Sequence, residues 1–348
     1  MNPDWRAFLT ARGARGGDDD RLQPPPPTGG REPPADCARY DLSHLGLIRV
    51  AGADADTFLQ GQLSNDLRAL TPTHSQLSCH CSPKGRMLAL FRVLRGADGI
   101  DLQLPRERVA EAIKRLLLYV LRAKVTLTDL SDGPVRIGLS GVGAPAQLER
   151  LGLPVPAADN ALITAAAARV LRLPAPVPRF ELIADYATQS ALWDALTPVS
   201  TWGDEDAWAL LDIRAGIPSV YTATVEAFVP QMANLQLLDG VSFTKGCYTG
   251  QEVVARMQYL GKLKRRMYQA TVESPTPPRP GDELHAPSST SEQTPGRVVD
   301  ARPSGPGRYE ILAVLEIEAA ETGEVRLAAD GPLLRLQPPP YGFAAPAA

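Results

Sequence analysis

The residues best suited to chemistry lie in one stretch, Phe243-Thr244-Lys245-Gly246-Cys247-Tyr248-Thr249-Gly250-Gln251-Glu252. A single cysteine sits there between glycines, two positions after a lysine. The run behind it, Val253-Val254-Ala255-Arg256-Met257, reads as helix, so Cys247 is expected in a first helical turn. The positive end of a helix dipole and a neighbouring ammonium both favour thiolate. A cysteine so placed can be nucleophilic, redox-active or metal-binding; a small buried residue at a helix start is the plainer alternative. Cys247 and Lys245 are the candidate catalytic pair.

Other groups could hold a ligand. Gln60-Gly61-Gln62-Leu63-Ser64-Asn65-Asp66 carries short polar side chains that either cap a turn or meet the donor–acceptor edge of a pterin or purine, with Asn65 and Asp66 the candidates. In Ser82-Pro83-Lys84-Gly85-Arg86, Lys84 and Arg86 flank a glycine at a hairpin tip, where they either receive carboxylates such as a glutamyl tail or stay solvated. Cys79 and Cys81 share a strand face opposite His80, too few ligands for a structural zinc. Trp208 is core or a flat wall for an aromatic ligand. Phe228-Val229-Pro230-Gln231-Met232-Ala233-Asn234-Leu235 is an amide-bearing turn. No phosphate loop, zincin helix, nucleophile elbow or kinase set is present, and the four histidines (His44, His74, His80, His285) fit no triad spacing.

The elements that must position these groups alternate irregularly, which argues for α+β. Strands are expected at 45–50, 75–81, 87–94, 99–104, 124–130, 134–140 and 179–184. Helices are expected at 4–12, 54–63 (capped by Asp54), 106–121, 144–151, 187–196 and 205–215, the last stopped by Gly216 and Pro218. Residues 13–36 read as a mobile linker around Pro24–Pro27. After Gly261, short strands between Pro/Gly/Ser loops suit a small barrel or sandwich, followed by a loose proline- and alanine-rich tail.

With 348 residues the chain can hold two or three domains, and a net charge of −3 supplies no overall basic field for nucleic acid. No apolar run reaches the roughly 20 residues of a membrane span, and residues 1–15 lack the apolar core of a secretory signal. Four cysteines in so long a chain are no disulfide framework, so a reducing cytoplasm is the expected compartment.

Lys-Gly-Cys-Tyr-Thr-Gly-Gln-Glu at 245–252 resembles the signature of the YgfZ family, folate-binding relatives of the glycine cleavage T-protein linked to iron–sulfur protein maturation. The resemblance extends through Leu-Gly-Leu-Ile-Arg-Val-Ala-Gly-Ala-Asp (45–54), Gln-Gly-Gln-Leu-Ser-Asn-Asp, Pro-Lys-Gly-Arg, Ala-Gly-Ile-Pro (215–218) and Phe-Val-Pro-Gln-Met-Ala-Asn-Leu, covering about 40–266. It implies two intertwined ferredoxin-like α+β units (37–262) after an N-terminal segment (1–36), a C-terminal β-barrel (263–338) and a tail (339–348). It also implies a central channel for tetrahydrofolate or a derivative. Trp208 would line the folate site, with Asn65, Asp66, Lys84, Arg86, Gln231 and Tyr248 as further folate contacts. An aromatic contact of some members falls at Leu45.

Two departures bear on mechanism. The T-protein carboxylate pair after the Lys84-Gly85-Arg86 loop is replaced by Met87-Leu88-Ala89, which argues against aminomethyl transfer. Its pterin-directed glutamate just before Ala-Gly-x-Pro is replaced by Arg214, which cannot accept hydrogen bonds. The expected role is a folate-binding accessory to iron–sulfur cluster assembly or repair with Cys247 as the essential thiol, its partners the assembly machinery or client enzymes. The alternatives are a tetrahydrofolate-dependent one-carbon transferase acting on tRNA or protein, and a plain folate sensor.

Overall fold

The computed structural model describes residues 1–16, 21–26, 36–96, 98–165, 168–287, 289 and 294–343. Its frame is three sheets. In the first, Gln76–Cys81, Met87–Arg95, Ile100–Pro105, Leu45–Ala51 and Thr126–Asp129 lie side by side, all antiparallel. Period-2 alternation along Met87–Arg95 serves two cores at once. Ala89, Phe91 and Val93 pack under the helices Ala55–Gln60 and Val109–Leu117, whereas Leu90 and Leu94 face the interior, where a register shift opposite His80 and Cys81 also puts Met87.

The second sheet runs Leu162–Thr164, Arg169–Arg172, Arg179–Ala184, Val135–Ser140, Ala38–Asp41 and Thr201–Gly203, with only the last pair parallel. Pro3–Ala11, Ala144–Arg150 and Tyr186–Leu196 contribute to its outer core, where Trp5 meets Trp193 edge-on at 5.4 Å. The chain lays down Ala38–Asp41 here, builds the whole first sheet, and then returns at Val135. That return path makes two intertwined ferredoxin-like units.

The helix Glu205–Ala215 lies in the interior, with Trp208 and Leu211 in one core cluster and Leu210 and Ile213 in another. Asp204 caps it, accepting from the Ala207 N–H at 2.8 Å, and Gly216 ends it at φ 71°. A third, antiparallel sheet orders Glu283–Leu284, Gly296–Gly305, Arg308–Glu316, Arg265–Glu273 and Arg335–Gln337. It curls into a half-barrel whose two edges are joined by the isolated bridges His285–Arg326 and Arg326–Leu333.

Several local expectations change. The helix expected over 106–121 is a 3-10 turn, Arg106–Arg108, followed by α-helix ending at Leu117; beyond it Tyr119 and Val120 make only i→i−3 bonds. Asp54 does not cap its helix, because its carboxylate accepts from the Lys124 N–H at 2.7 Å instead. Part of the linker forms a hairpin, Arg15–Gly16 with Leu22–Gln23, while 17–20 and 27–35 lie outside the described residues. In the tail, Tyr341 donates to the Gly216 carbonyl at 2.9 Å, so this part is pinned rather than loose; 344–348 lie outside the described residues.

Candidate functional site

The signature and the two upstream turns come together at one end of the first sheet. The helix after the signature is Gln251–Tyr259, and Gly250 precedes it at φ 83°. Cys247 therefore lies in the loop ahead of the helix and is exposed, not in the first turn. Gly250 takes its left-handed conformation where the Pro-Lys-Gly-Arg hairpin presses in. A Cβ on Gly250 would run into the Ser82 carbonyl and stand 3.0 Å from the Gly85 Cα, and one on Gly85 would stand 2.8 Å from the Val253 Cβ. Two glycines, about 165 residues apart, thus let hairpin and signature touch.

Lys245 does not sit as a free cation beside the thiol. It is 5% exposed, and its ammonium donates to the carbonyls of Gln60, Leu63 and Asn65 at 2.7, 2.7 and 2.8 Å. All three N–H donors are spent there, and burial lowers its pKa from 10.5 to about 8. The signature lysine is a pin that ties the Gln60–Asp66 turn to the Cys247 loop. Among the described residues no hydrogen bond or ion pair joins it to Cys247.

Asn65 and Asp66 satisfy the turn itself. The Asn65 amide donates to the Leu77 and Asp239 carbonyls at 2.9 and 2.5 Å, and its oxygen accepts from the Asp66 N–H at 2.8 Å. Asp66 caps the 3-10 turn Leu67–Ala69 and pairs with Arg68, which together with a bond from Gln60 holds its pKa well below the usual carboxylate range. Tyr248 is buried under this cluster with Lys245 Nζ 5.2 Å from its ring centre, and burial raises its pKa. Gln231, also buried, donates to the Val254 carbonyl at 2.6 Å and so braces the signature helix. Lys84 is exposed, whereas Arg86 donates to the carbonyls of Glu226 and Ala227. The Cys79 and Cys81 thiols are buried 3.5 Å apart, and Cys79 also reaches Ser64 Oγ at 3.2 Å.

Trp208 belongs to a second locus. A cavity of about 1120 Å³, lined among others by His44, Leu45, Asp204, Tyr221 and Arg302, adjoins a cleft of about 70 Å³ bordered by Trp208. The two share Leu45, Pro105, Asp212 and Ser219. Trp208 is 1% exposed, with the Arg179 guanidinium 3.8 Å over one ring face, so that face is not open to a ligand. Arg179 is held by Asp212 at 2.7 Å and by the Trp208 carbonyl at 3.1 Å.

Two residues absent from the sequence-derived set line the same cleft: Glu181, two positions after Arg179 on the same strand face, and Gln103. Glu181, 1% exposed in the middle of the strand Arg179–Ala184, accepts from Gln103 Nε2 through both carboxylate oxygens at 2.9 and 3.1 Å. With Nε2 so used, Gln103 Oε1 is buried and has no partner in the protein. A buried carboxylate next to an orphaned amide oxygen makes a wall of acceptors on one side of a cleft that Arg92 and Arg179 also line, which suits a flat ligand edge carrying N–H donors. The signal was available: one acid interrupts the run Phe180-Glu181-Leu182-Ile183-Ala184. Arg214, in contrast, turns away to Glu310 on the half-barrel at 2.9 and 2.7 Å.

Among the described residues no cluster of three or more His, Cys, Asp or Glu is arranged to hold a metal, and no helix is long and apolar enough to cross a membrane.

The frame of two intertwined α+β units and a C-terminal half-barrel is that of the T-protein-like fold. The chain superposes on glycine cleavage system aminomethyltransferase T from Bartonella henselae with a TM-score of 0.72, over 97% of this chain and 96% of that one, at 17% identity. At that identity the likeness is one of fold. No family model matches the sequence. It is 32% identical over 302 residues to "tRNA-modifying protein YgfZ" of Enterobacter sp. (strain 638), covering 87% of this chain and 92% of the relative. The protein of the same name from Escherichia coli (strain SMS-3-5 / SECEC) matches at 32% over 303 residues, with the same coverage. The chain belongs to the YgfZ family.

Proposed function

We propose that this protein binds a reduced folate in the central cavity and serves as an accessory factor in iron–sulfur cluster assembly or repair, with Cys247 as its essential thiol. The observation that carries the folate reading is the Glu181–Gln103 acceptor wall beside Trp208. A pterin presents an amino group and ring N–H groups along one edge, and these are the donors that such a wall lacks. Glu181 and Gln103 would hold the pterin edge and Trp208 would bound its ring, while the larger cavity leaves room for the tail. Bound there, a reduced folate supplies one-carbon or reducing chemistry.

Three features support a working thiol outside the cavity. Cys247 is exposed, its loop is held from below by the Lys245 pin, and its rear is fixed by the Gly85–Gly250 contact. These contacts would present the sulfur on a braced loop, with no hydrogen bond to it among the described residues. Residues 37–262 would carry the signature and the Glu181–Gln103 pair, while the half-barrel of 263–338 would add Pro278, Arg279, Pro280, Ala301 and Arg302 to the lining of the larger cavity. The name of the relatives points to tRNA, and support of a cluster-dependent tRNA-modifying enzyme would make that link indirect.

The test is cellular. In cells lacking the protein, wild type should restore the activity of cluster-dependent enzymes and Cys247→Ser should not, although both bind tetrahydrofolate equally. Full restoration by Cys247→Ser would sink the thiol reading.

A further inference from the structure

Among the described residues, ten large hydrophobic side chains are exposed, and six of them fall on two segments: Leu117, Leu118, Tyr119 and Leu121 on one, Tyr259 and Leu260 on the other. Leu118, Leu121, Tyr259 and Leu260 are 69, 86, 67 and 85% exposed. Each group sits at or just past the end of a helix, Val109–Leu117 or Gln251–Tyr259. Both border the signature. The Tyr119 ring lies 6.1 Å from that of His80, His80 bridges to Leu63, and Leu63 accepts from Lys245. On the other side, Phe243, two residues before Lys245, meets the Tyr259 ring at 6.2 Å. Exposed Cys247 belongs to the loop between.

The charge of these segments is one-sided. Lys114, Arg122, Lys124, Arg256, Lys262 and Lys264 are exposed, and among the described residues no ion pair engages any of them. Over 109–124 and 247–264 the acids are Glu111, already paired with Arg115, and Glu252. In a molecule of net charge −3, these two segments thus carry an excess of cations beside bare leucines, with Lys124 alone set apart next to the Asp54 carboxylate.

From this we infer that the face formed by 117–121 and 259–260 around Cys247 is the docking surface for an acidic protein that offers an apolar segment rimmed by carboxylates. The inference rests on the thiol reading above and names the kind of partner that the thiol serves. Charge complementarity selects an acidic occupant, and an exposed apolar cluster with a polar rim is the ordinary form of a protein contact. RNA is a poorer fit, because four of the six apolar residues are leucines, which give a base nothing to stack on. A membrane surface is also a poorer fit. Membrane-lying helices turn one continuous apolar stripe outward, whereas Val109–Leu117 turns Val109, Ala112 and Leu116 into the core and exposes leucines mainly past its end.

The experiment uses the full chain and three probes: a small acidic [2Fe–2S] protein, bulk tRNA, and vesicles of phosphatidylcholine with phosphatidylglycerol. The variants are Leu118→Asp/Leu121→Asp on the face, Val142→Asp as an exposed control elsewhere, and Cys247→Ser. An unchanged thermal midpoint and tetrahydrofolate titration establish that each is folded. The expected result is binding of the acidic protein that weakens at least tenfold in the double variant and on raising salt from about 50 to 300 mM. Binding should be unchanged in Val142→Asp and Cys247→Ser. The inference is overturned if the wild type does not bind the acidic protein, if the double variant binds it equally well, or if the double variant loses only tRNA or vesicles. Because Cys247→Ser keeps the face, docking by that variant separates this inference from the thiol reading, whose own failure would be full cellular rescue by Cys247→Ser.

Discussion

Replacing Lys245 by methionine isolates what the signature lysine does. The substitution keeps the length and apolar stem of the side chain and removes three charge-assisted hydrogen bonds to Gln60, Leu63 and Asn65. At ~1.5–3 kcal/mol each, these are worth about 5–9 kcal/mol. Against this stands the cost of burying the ammonium. The lowering of its pKa from 10.5 to about 8 corresponds to roughly 3 kcal/mol, which the neutral variant recovers. The net loss is about 2–6 kcal/mol, a fall in Tm of roughly 3–8 °C for a chain this long. The assay is a thermal melt paired with limited proteolysis, in which new cleavage should appear within 60–66 and 243–250. Tetrahydrofolate affinity should hold, because Lys245 lines neither cavity. A midpoint within ~1 °C of wild type, with an unchanged digestion pattern, would refute the pin.

Three other outcomes follow from the same geometry. Gly250→Ala strains a residue at φ 83° and drives a methyl into the hairpin at Ser82 and Gly85, so urea melts should show a loss of about 2 kcal/mol or more. Arg214→Gln breaks a half-exposed pair with Glu310; it should cost at most ~1 kcal/mol and leave folate affinity unchanged, as isothermal titration would show. His44 has its pKa lowered from 6.5 to about 3 by burial and by Arg302, Arg136, Arg21 and Arg179. The unfolded chain takes up this proton near pH 6.5 and the native one only near pH 3, so the contribution is complete above pH 6.5 and declines as pH falls through that window, by at most ~1.4 kcal/mol per pH unit. His44→Asn should therefore flatten the acid limb of stability measured by denaturant melts between pH 7 and pH 4.5.

Much of this was legible from local pattern. The α+β class, the main strands and the helix ended by Gly216 follow from periodicity and punctuation; of the motif blocks, the signature meets the Gln60–Asp66 turn and the Pro-Lys-Gly-Arg hairpin, while Leu45, Trp208, Ile217 and Pro218 lie at the second locus. What escaped was non-local. Lys245 meets its three carbonyls across about 180 residues of sequence, so proximity to Cys247 along the chain suggested a cation beside a thiol where the fold makes a structural pin. Glu181 reads as one polar residue in a strand until the stacking of two sheets shows that both faces of that strand are buried, leaving its carboxylate only Gln103. Leu117 and Val120 continue the spacing of the preceding helix and so extended it on paper; in space Val120 does pack on the core, but from a 3-10-like turn, while Leu117 and its neighbours Leu118, Tyr119 and Leu121 lie on the surface.

The central claim is that the cavity binds a reduced folate through Glu181 and Gln103, and the most direct measurement is an anaerobic calorimetric titration of wild type and Glu181→Gln with tetrahydrofolate. The substitution keeps the shape and one oxygen acceptor but offers an N–H where the pterin offers its own, at a cost of ~1.5–3 kcal/mol for a hydrogen bond to a charged group. The account predicts one site in the wild type and an affinity about 10–100-fold lower in the variant, with the thermal midpoint of the free protein nearly unchanged. Equal affinity in a folded Glu181→Gln, or no binding by the wild type, would contradict it.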